Sequence, residues 1–232
     1  MSSLYLIRHG QASFGAADYD VLSDTGIAQS RRLGQHLGER QLAVDAVYVG
    51  PRVRHRDTAR HLRDASAEAG HSLPAPIELP ELDEYPAFEL LRHWMPILTE
   101  EDPTMAAILE APPGSDRIGR AFEHIIGKWV RGELDTGHLE SFVAFVDRVE
   151  RGLDIIMRDQ GRGKRVAVVS SGGPISVTMR RSLSLADDIM LRVASVLANA
   201  SVSEFRYRDT RLNLVTFNDT AHLDEPELVT YR

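Results

Sequence analysis

Short apolar runs that stop at a polar, glycine-containing loop and then pass into a helix-patterned segment recur at both ends of this chain. That alternation constrains the fold more than any other feature, because consecutive strand–helix units bury themselves best as a mostly parallel sheet with helices on both faces. Leu4–Ile7 ends at Arg8-His9-Gly10-Gln11, and a loop rich in small and acidic residues follows through Asp20. Ser23 is placed as the N-cap of a helix to about Arg40, with Ile27, Leu33 and Leu37 facing the core. Val44–Val49 is a second strand closed by Gly50-Pro51, with a helix from about Arg54 to Ala69 and a short strand at Pro76–Leu79. Near the other end, Arg165–Ser170 leads through Ser171-Gly172-Gly173 into a helix at Pro174–Ser182, and strands at Val202–Tyr207 and Leu212–Phe217 flank a polar turn. The tail after Asn218 reads as irregular.

Between Tyr85 and about Gly161 the pattern is helical only, with segments at Phe88–Leu98, Pro103–Leu109, Asp116–Arg131 and His138–Arg158 and a clear break at Pro112-Pro113-Gly114. The expected fold is therefore an α/β, three-layer α/β/α domain over residues 1–232 with a helical insertion at about 85–161. A length of 232 residues supplies a core for one such domain. No apolar stretch approaches the ~20 residues of a membrane span, and the N-terminus lacks a signal peptide's apolar run, so the expectation is no membrane partner and a cytoplasmic location. A net charge of −7 argues against nucleic acid as a partner. The absence of cysteine removes thiol catalysis and thiolate metal sites, and the nine histidines show no H-x-x-x-H spacing, so no metal is expected.

In open parallel sheets, ligands sit at the carboxyl ends of the strands. Two polar clusters stand there, Arg8-His9-Gly10-Gln11 and Ser170-Ser171-Gly172-Gly173. A fixed imidazole with one bare nitrogen is a good nucleophile toward phosphorus, and an adjacent guanidinium grips two phosphate oxygens as a fork. Gly10 leaves room for a phosphate to approach the backbone. The basic run Gly50-Pro51-Arg52-Val53-Arg54-His55-Arg56 opens a helix, where side chains and free amides converge on an anion. Glu81-Leu82-Asp83-Glu84 offers carboxyl groups that could protonate a leaving oxygen. The strand–glycine–helix passage at Ser171-Gly172 is a further anion cradle. It does not read G-x-S-x-G, which argues against a serine nucleophile. Each feature also has a plainer reading, as a satisfied structural histidine, a solvated helix start or an acidic surface loop. The aromatics Tyr85, Phe88, Trp94, Phe122 and Trp129 could line a pocket, although such spacing more often marks simple core.

In this order and spacing, from Leu4 to about Phe217, these segments resemble the histidine phosphatase (phosphoglycerate mutase-like) superfamily. Arg8-His9-Gly10-Gln11 is similar to its R-H-G-E/Q opening, and Leu22-Ser23-Asp24-Thr25-Gly26-Ile27-Ala28-Gln29 to its L-S/T-x-x-G-x-x-Q helix start. Gly50-Pro51 through Thr58-Ala59 resembles S-P-x-x-R-x-x-x-T-A, and Leu82-Asp83-Glu84 resembles L-x-E. The resemblance implies His9 as phosphoryl acceptor, Arg8 and Arg54 as the clamp with Gln11, Ser171 and Gly172 beside the phosphate, and Glu84 as proton donor. It also implies a small phosphorylated substrate or phosphate as ligand and no cofactor. Leu79-Pro80-Glu81 fits the same L-x-E pattern; Glu84 is preferred because it directly precedes the helical insertion.

One departure matters most. The family's S/T-H-G-G segment reads Ser170-Ser171-Gly172-Gly173 here, so a serine stands where a second catalytic histidine is expected. A neutral hydroxyl in place of a cationic imidazole weakens the phosphate contact by about 1–2 kcal/mol. Arg52, His55 and Arg56 are candidates to restore the charge. The run Arg8-His9-Gly10-Gln11-Ala12-Ser13-Phe14-Gly15 also departs from the R-H-G-E-S-x-x-N opening of the mutases, since Gly15 stands in place of the asparagine. The readings, in order, are a phosphomonoesterase of reduced activity, a catalytically silent phosphate-binding or interaction protein, and a phosphoglycerate mutase.

Overall fold

In the computed structural model, which describes residues 2–13, 20–101 and 116–231, six strands form one sheet in the order β3-β2-β4-β1-β5-β6. The strands are β1 (Ser2–Arg8), β2 (Ala46–Val49), β3 (Pro76–Glu78), β4 (Arg165–Ser170), β5 (Val202–Arg208) and β6 (Arg211–Asp219). β1 to β4 run parallel, and β5 and β6 add an antiparallel hairpin at one side, so the sheet is mostly parallel. The helices among the described residues are α1 (Asp24–Glu39), α2 (Val53–Glu68), α3 (Ala87–Glu101), α4 (Asp116–Val130), α5 (Phe142–Gln160), α6 (Gly172–Leu183) and α7 (Asp187–Ser195). None is long and apolar enough to cross a membrane. The expected helix at Pro103–Leu109, the break at Pro112-Pro113-Gly114, the residues Phe14 and Gly15 and most of the loop before Asp20 lie outside the described residues.

The α/β class follows from the burial of the central strands on both faces. Ile7, Val47, Val49, Ala167 and Val169 project to one face, where Leu33 and Leu37 of α1 and Ala59 and Leu62 of α2 cover them. Leu4, Leu6, Val166 and Val168, also fully or almost fully buried, belong to the opposite face. There α6 packs on β1 and β6, and Gln160 at the end of α5 donates to the Tyr48 hydroxyl at 2.9 Å. Central parallel strands buried on both sides read as continuous apolar runs, as these do.

Two details differ from the sequence expectation. The helix placed at His138–Arg158 begins only at Phe142, because the Ser141 hydroxyl accepts from the Ala144 amide at 3.2 Å and caps it there. The helix α7 was not anticipated: it has no side-chain N-cap and buries only Met190, so its apolar signal is weak. Two compact units divide the chain, Met1–Asp83 with Arg148–Arg232, and Glu84–Asp147. Within the second, Trp129 is 2% exposed, stacks on Tyr85 at 5.2 Å and meets Phe142 and Phe145 edge-on or tilted. These aromatics are core, while Phe88 is exposed.

The loop after β1 is held against α1 by a reciprocal close approach. A Cβ on Gly10 would lie 2.4 Å from the Gly26 carbonyl oxygen, and a Cβ on Gly26 would lie 2.1 Å from that of Gln11. Gly10 is thus required by packing against α1, a reason separate from any phosphate. Ser23 caps α1 as expected, accepting from Gly26 N at 3.1 Å. Gln29, fully buried one turn on, accepts the Gln11 amide at 2.8 Å.

Helix propensity alone favours alanine over Gly26 by about 1 kcal/mol, but the overlap with Gln11 outweighs it, so Gly26→Ala is expected to lower urea-unfolding stability by about 1–3 kcal/mol. An unchanged or raised stability would contradict this packing. A second expectation concerns His222, which is held down to about 4 mainly by burial and then by His36 nearby. Its neutral form stabilises the fold fully above about pH 6.5, and that contribution, about 3 kcal/mol, is lost as pH falls from 6.5 through 4. His222→Leu should therefore show a smaller drop in Tm between pH 7.5 and 5 than the unsubstituted protein; equal drops would refute the assignment.

Candidate active site

The register of β1 and β4 builds the site before any side chain is considered. Arg8 pairs with Ser170 across the parallel ladder, so the next residues, His9 and Ser171, emerge side by side at the carboxyl ends of adjacent strands. β2 pairs with the far edge of β4, and Gly50 continues from it into α2. All of these residues belong to the first compact unit.

His9 is 5% exposed and held by its backbone on both sides. Its amide donates to Ser170 O at 2.9 Å, and its carbonyl accepts from Ala200 N at 3.2 Å and Asn199 Nδ2 at 3.3 Å. The ring nitrogen Nδ1 lies 2.7 Å from the Gly10 carbonyl, which can only accept, so Nδ1 carries the proton and Nε2 keeps its lone pair. That lone pair accepts from Arg54 Nε at 3.2 Å. Burial holds the His9 pKa well below the usual histidine value, and the guanidinium groups of Arg54 and then Arg8 push the same way. The neutral form, with Nε2 bare, is thus the resting one.

Residues Arg54, His55 and Thr58 share the buried face of α2. Thr58 Oγ1 accepts from Gly10 N at 3.0 Å, tying the helix to the His9 loop. Arg54, 6% exposed, reaches three partners among the described residues: Nε to His9, Nη1 to Asp20 Oδ1 at 2.7 Å, and Nη2 to Ser171 Oγ at 3.3 Å. The second carboxylate oxygen of Asp20 accepts from Val53 N, the first amide of α2, at 2.8 Å. A carboxylate thereby occupies a helix N-terminus and a guanidinium together, the arrangement that suits a phosphate.

Of the three candidates to supply charge beside Ser171, Arg52 pairs with Asp83 at 2.5 Å and Arg56 with Glu78 at 3.2 Å at the surface. Only His55 turns inward, fully buried, with Nε2 2.6 Å from Ser171 Oγ. Its ring centre lies 5.6 Å from that of His9.

The other expected residues are spread around this centre. Arg8 Nη1 donates to the carbonyls of Leu197 and, at 3.3 Å, Tyr231. Gln11 Oε1 accepts from Ser23 Oγ at 2.8 Å, which ties its side chain to the start of α1. Gly172 begins α6 immediately after Ser171. Glu81 lies on the short turn after β3, against Gly152 of α5. Glu84 opens the second unit, with Oε1 accepting from Tyr85 N at 3.0 Å. Asp20 and Asn199 were not anticipated; a lone acidic loop residue and a lone asparagine before a strand carry no local signal. The tail also contributes: Gln29 Nε2 donates to Leu228 O at 2.7 Å and Thr230 Oγ1 at 2.8 Å, and Thr230 pairs with Asn199. Among the described residues, no group of three or more histidine, aspartate or glutamate side chains converges as a metal site.

A neutral imidazole fixed by its neighbour's carbonyl, beside a buried guanidinium at the tips of parallel strands, is an arrangement chemically suited to meeting a phosphoryl group. Comparison with known proteins agrees in fold. Three similar structures are the YhfR protein of Bacillus stearothermophilus (19% identity, TM-score 0.70, covering 97% of this chain and 100% of that one), a phosphoserine phosphatase of Entamoeba histolytica in complex with 3-phosphoglyceric acid (20%, 0.64, 96% and 100%), and the alpha-ribazole phosphatase of Shigella flexneri (20%, 0.64, 94% and 96%). No curated protein matches the sequence. The sequence model of the histidine phosphatase superfamily, branch 1, matches residues 4–220, nearly the whole chain, and this chain belongs to that superfamily.

Proposed function

We propose that this protein is a phosphomonoester hydrolase that works through a phosphohistidine on His9. The observation that carries this reading is the 2.7 Å contact between His9 Nδ1 and the Gly10 carbonyl, which leaves Nε2 as the attacking atom. Nε2 forms a bond to phosphorus as the ester P–O bond breaks on the opposite side. The phosphoryl oxygens replace Nε2 as acceptors of the Arg54 guanidinium, whose fork suits two of them. Arg8 adds positive charge from the same strand end. The leaving oxygen takes its proton from Glu84, with Glu81 as the alternative donor. Water then attacks the phosphohistidine, gives a proton to the same carboxylate and releases inorganic phosphate. Gln11, Gly172 and Ser171 complete the surroundings of the phosphoryl group, with Ser171 standing where the superfamily has its second histidine.

The substrate is a small phosphomonoester. The names of the structural relatives, which act on phosphoserine and alpha-ribazole phosphate, support that class without choosing within it. A silent phosphate-binding protein is the second reading. What favours it is that Arg54 Nε already occupies the His9 lone pair and Arg8 is engaged by the Leu197 carbonyl.

Turnover of an aryl phosphate separates the two. His9→Ala is expected to lower it by about three orders of magnitude, roughly 4 kcal/mol of transition-state stabilisation, and to abolish an acid-labile phosphoenzyme. Equal, negligible turnover by both proteins would remove the enzyme reading. For the proton donor, Glu84→Gln should slow an alkyl phosphate by about 10²–10⁴ while sparing nitrophenyl phosphate, whose leaving group needs no proton. If Glu81→Gln gives that pattern instead, the donor is Glu81.

A further inference from the structure

His55 is a fully buried titratable side chain for which the reaction just described has no use, and the backbone is shaped to seat it. A Cβ on Gly50 would lie 2.4 Å from its Nδ1, so only glycine at that position admits the ring. The Gly50 backbone lies against Nδ1, which is buried with no hydrogen-bond partner among the described residues, and Nε2 points at Ser171 Oγ, 2.6 Å away. Ser171 is 1% exposed and also takes a bond from Arg54 Nη2 at 3.3 Å.

A hydroxyl has one proton and two lone pairs. Arg54 can only donate, so it occupies one lone pair of Ser171 Oγ. When His55 is neutral, the tautomer with its proton on Nδ1 is the one that gives the buried hydroxyl proton an acceptor, because Nε2 then takes it. Ser171 then has nothing to offer an anion. When His55 is doubly protonated, Nε2 donates to Oγ, and the hydroxyl proton is released to turn toward a phosphoryl oxygen. The same step adds one positive charge at the end of β4. We propose that His55 and Ser171 form a proton-coupled relay in which binding of a phosphoryl dianion at His9 is accompanied by uptake of one proton on His55, which turns the Ser171 hydroxyl toward the anion.

His55 is a positioning residue in this scheme, since it acts through Ser171. The groups facing it are consistent with a site that awaits an anion. Arg54 and Arg56 on its own helix, Arg52 at that helix's N-cap and His9 at the end of β1 are cationic or neutral, and the Gly50 backbone just after β2 lies against the ring. The acidic side chains nearest this cluster, Asp20 and Asp83, are paired with Arg54 and Arg52. Burial and the guanidinium groups therefore keep His55 neutral until a dianion offsets them.

The inference rests on the phosphate-site reading above, and the test separates the two. Tungstate, a phosphate-like dianion, is titrated calorimetrically onto the full chain between pH 6 and 8. The His9→Ala background removes the other imidazole that could take up a proton. There, the dissociation constant should rise about tenfold per pH unit, the signature of one proton taken up on binding. Adding Ser171→Ala or His55→Gln should flatten that slope while binding persists. Two substitutions are used so that misfolding of one leaves the other as a readout. A slope unchanged by both, or a flat profile in His9→Ala itself, overturns the relay while leaving the phosphate site intact. Failure of tungstate to bind the unsubstituted protein overturns both.

Discussion

The parallel ladder between β1 and β4 is the constraint on which the site depends. Arg8 opposite Ser170 means that the two chains leave the sheet together, so His9 and Ser171 are neighbours although 162 positions separate them in sequence. The six strands and their covering helices make that register unambiguous, because a slip of one residue would turn Ile7 and Val169 out of the core. The hydrophobic pattern of the strands therefore sets the geometry of the site, and its side chains need only extend from strand tips already fixed.

Electrostatics at those tips follow from burial. Arg54 is nearly inaccessible, and a buried guanidinium needs partners; it finds a carboxylate, an imidazole and a hydroxyl. Burial, and then the same guanidinium, make protonation of His9 unfavourable, so its ring rests neutral. Asp20 offsets the excess positive charge and takes the first amide of α2, so the resting site is internally neutralised. Each N–H of this pairing is already oriented and dry, so under the proposed function exchange of these contacts for phosphoryl oxygens would need little rearrangement.

Much of this was legible in the sequence for particular reasons. The strand at Leu4–Ile7, the Ser23 cap and the entry into α2 are local signals, an apolar run or a capping residue at fixed spacing, and each element formed where those signals placed it. The motif residues Gly10, Gly26 and Gln29 could be recognised as a set, but their physical role, clasping the His9 loop to α1, needed three dimensions. The direction of His55 was not legible. Arg52, Arg54, His55 and Arg56 are neighbours in sequence, and only the rotation of α2 decides that two face inward and two pair with surface carboxylates. Asp20 was hidden for a different reason, since a loop carboxylate acquires meaning only from the helix end it meets.

The tail residues Leu228 to Tyr231 complete the picture. Gln29 grips them with one end of its amide while the other end holds the Gln11 backbone, Thr230 braces the asparagine behind His9, and the Tyr231 carbonyl takes Arg8. The segment 228–231 thus forms a back wall behind His9. A protease nick within it would reach that imidazole from behind, without touching any residue of the two strand tips.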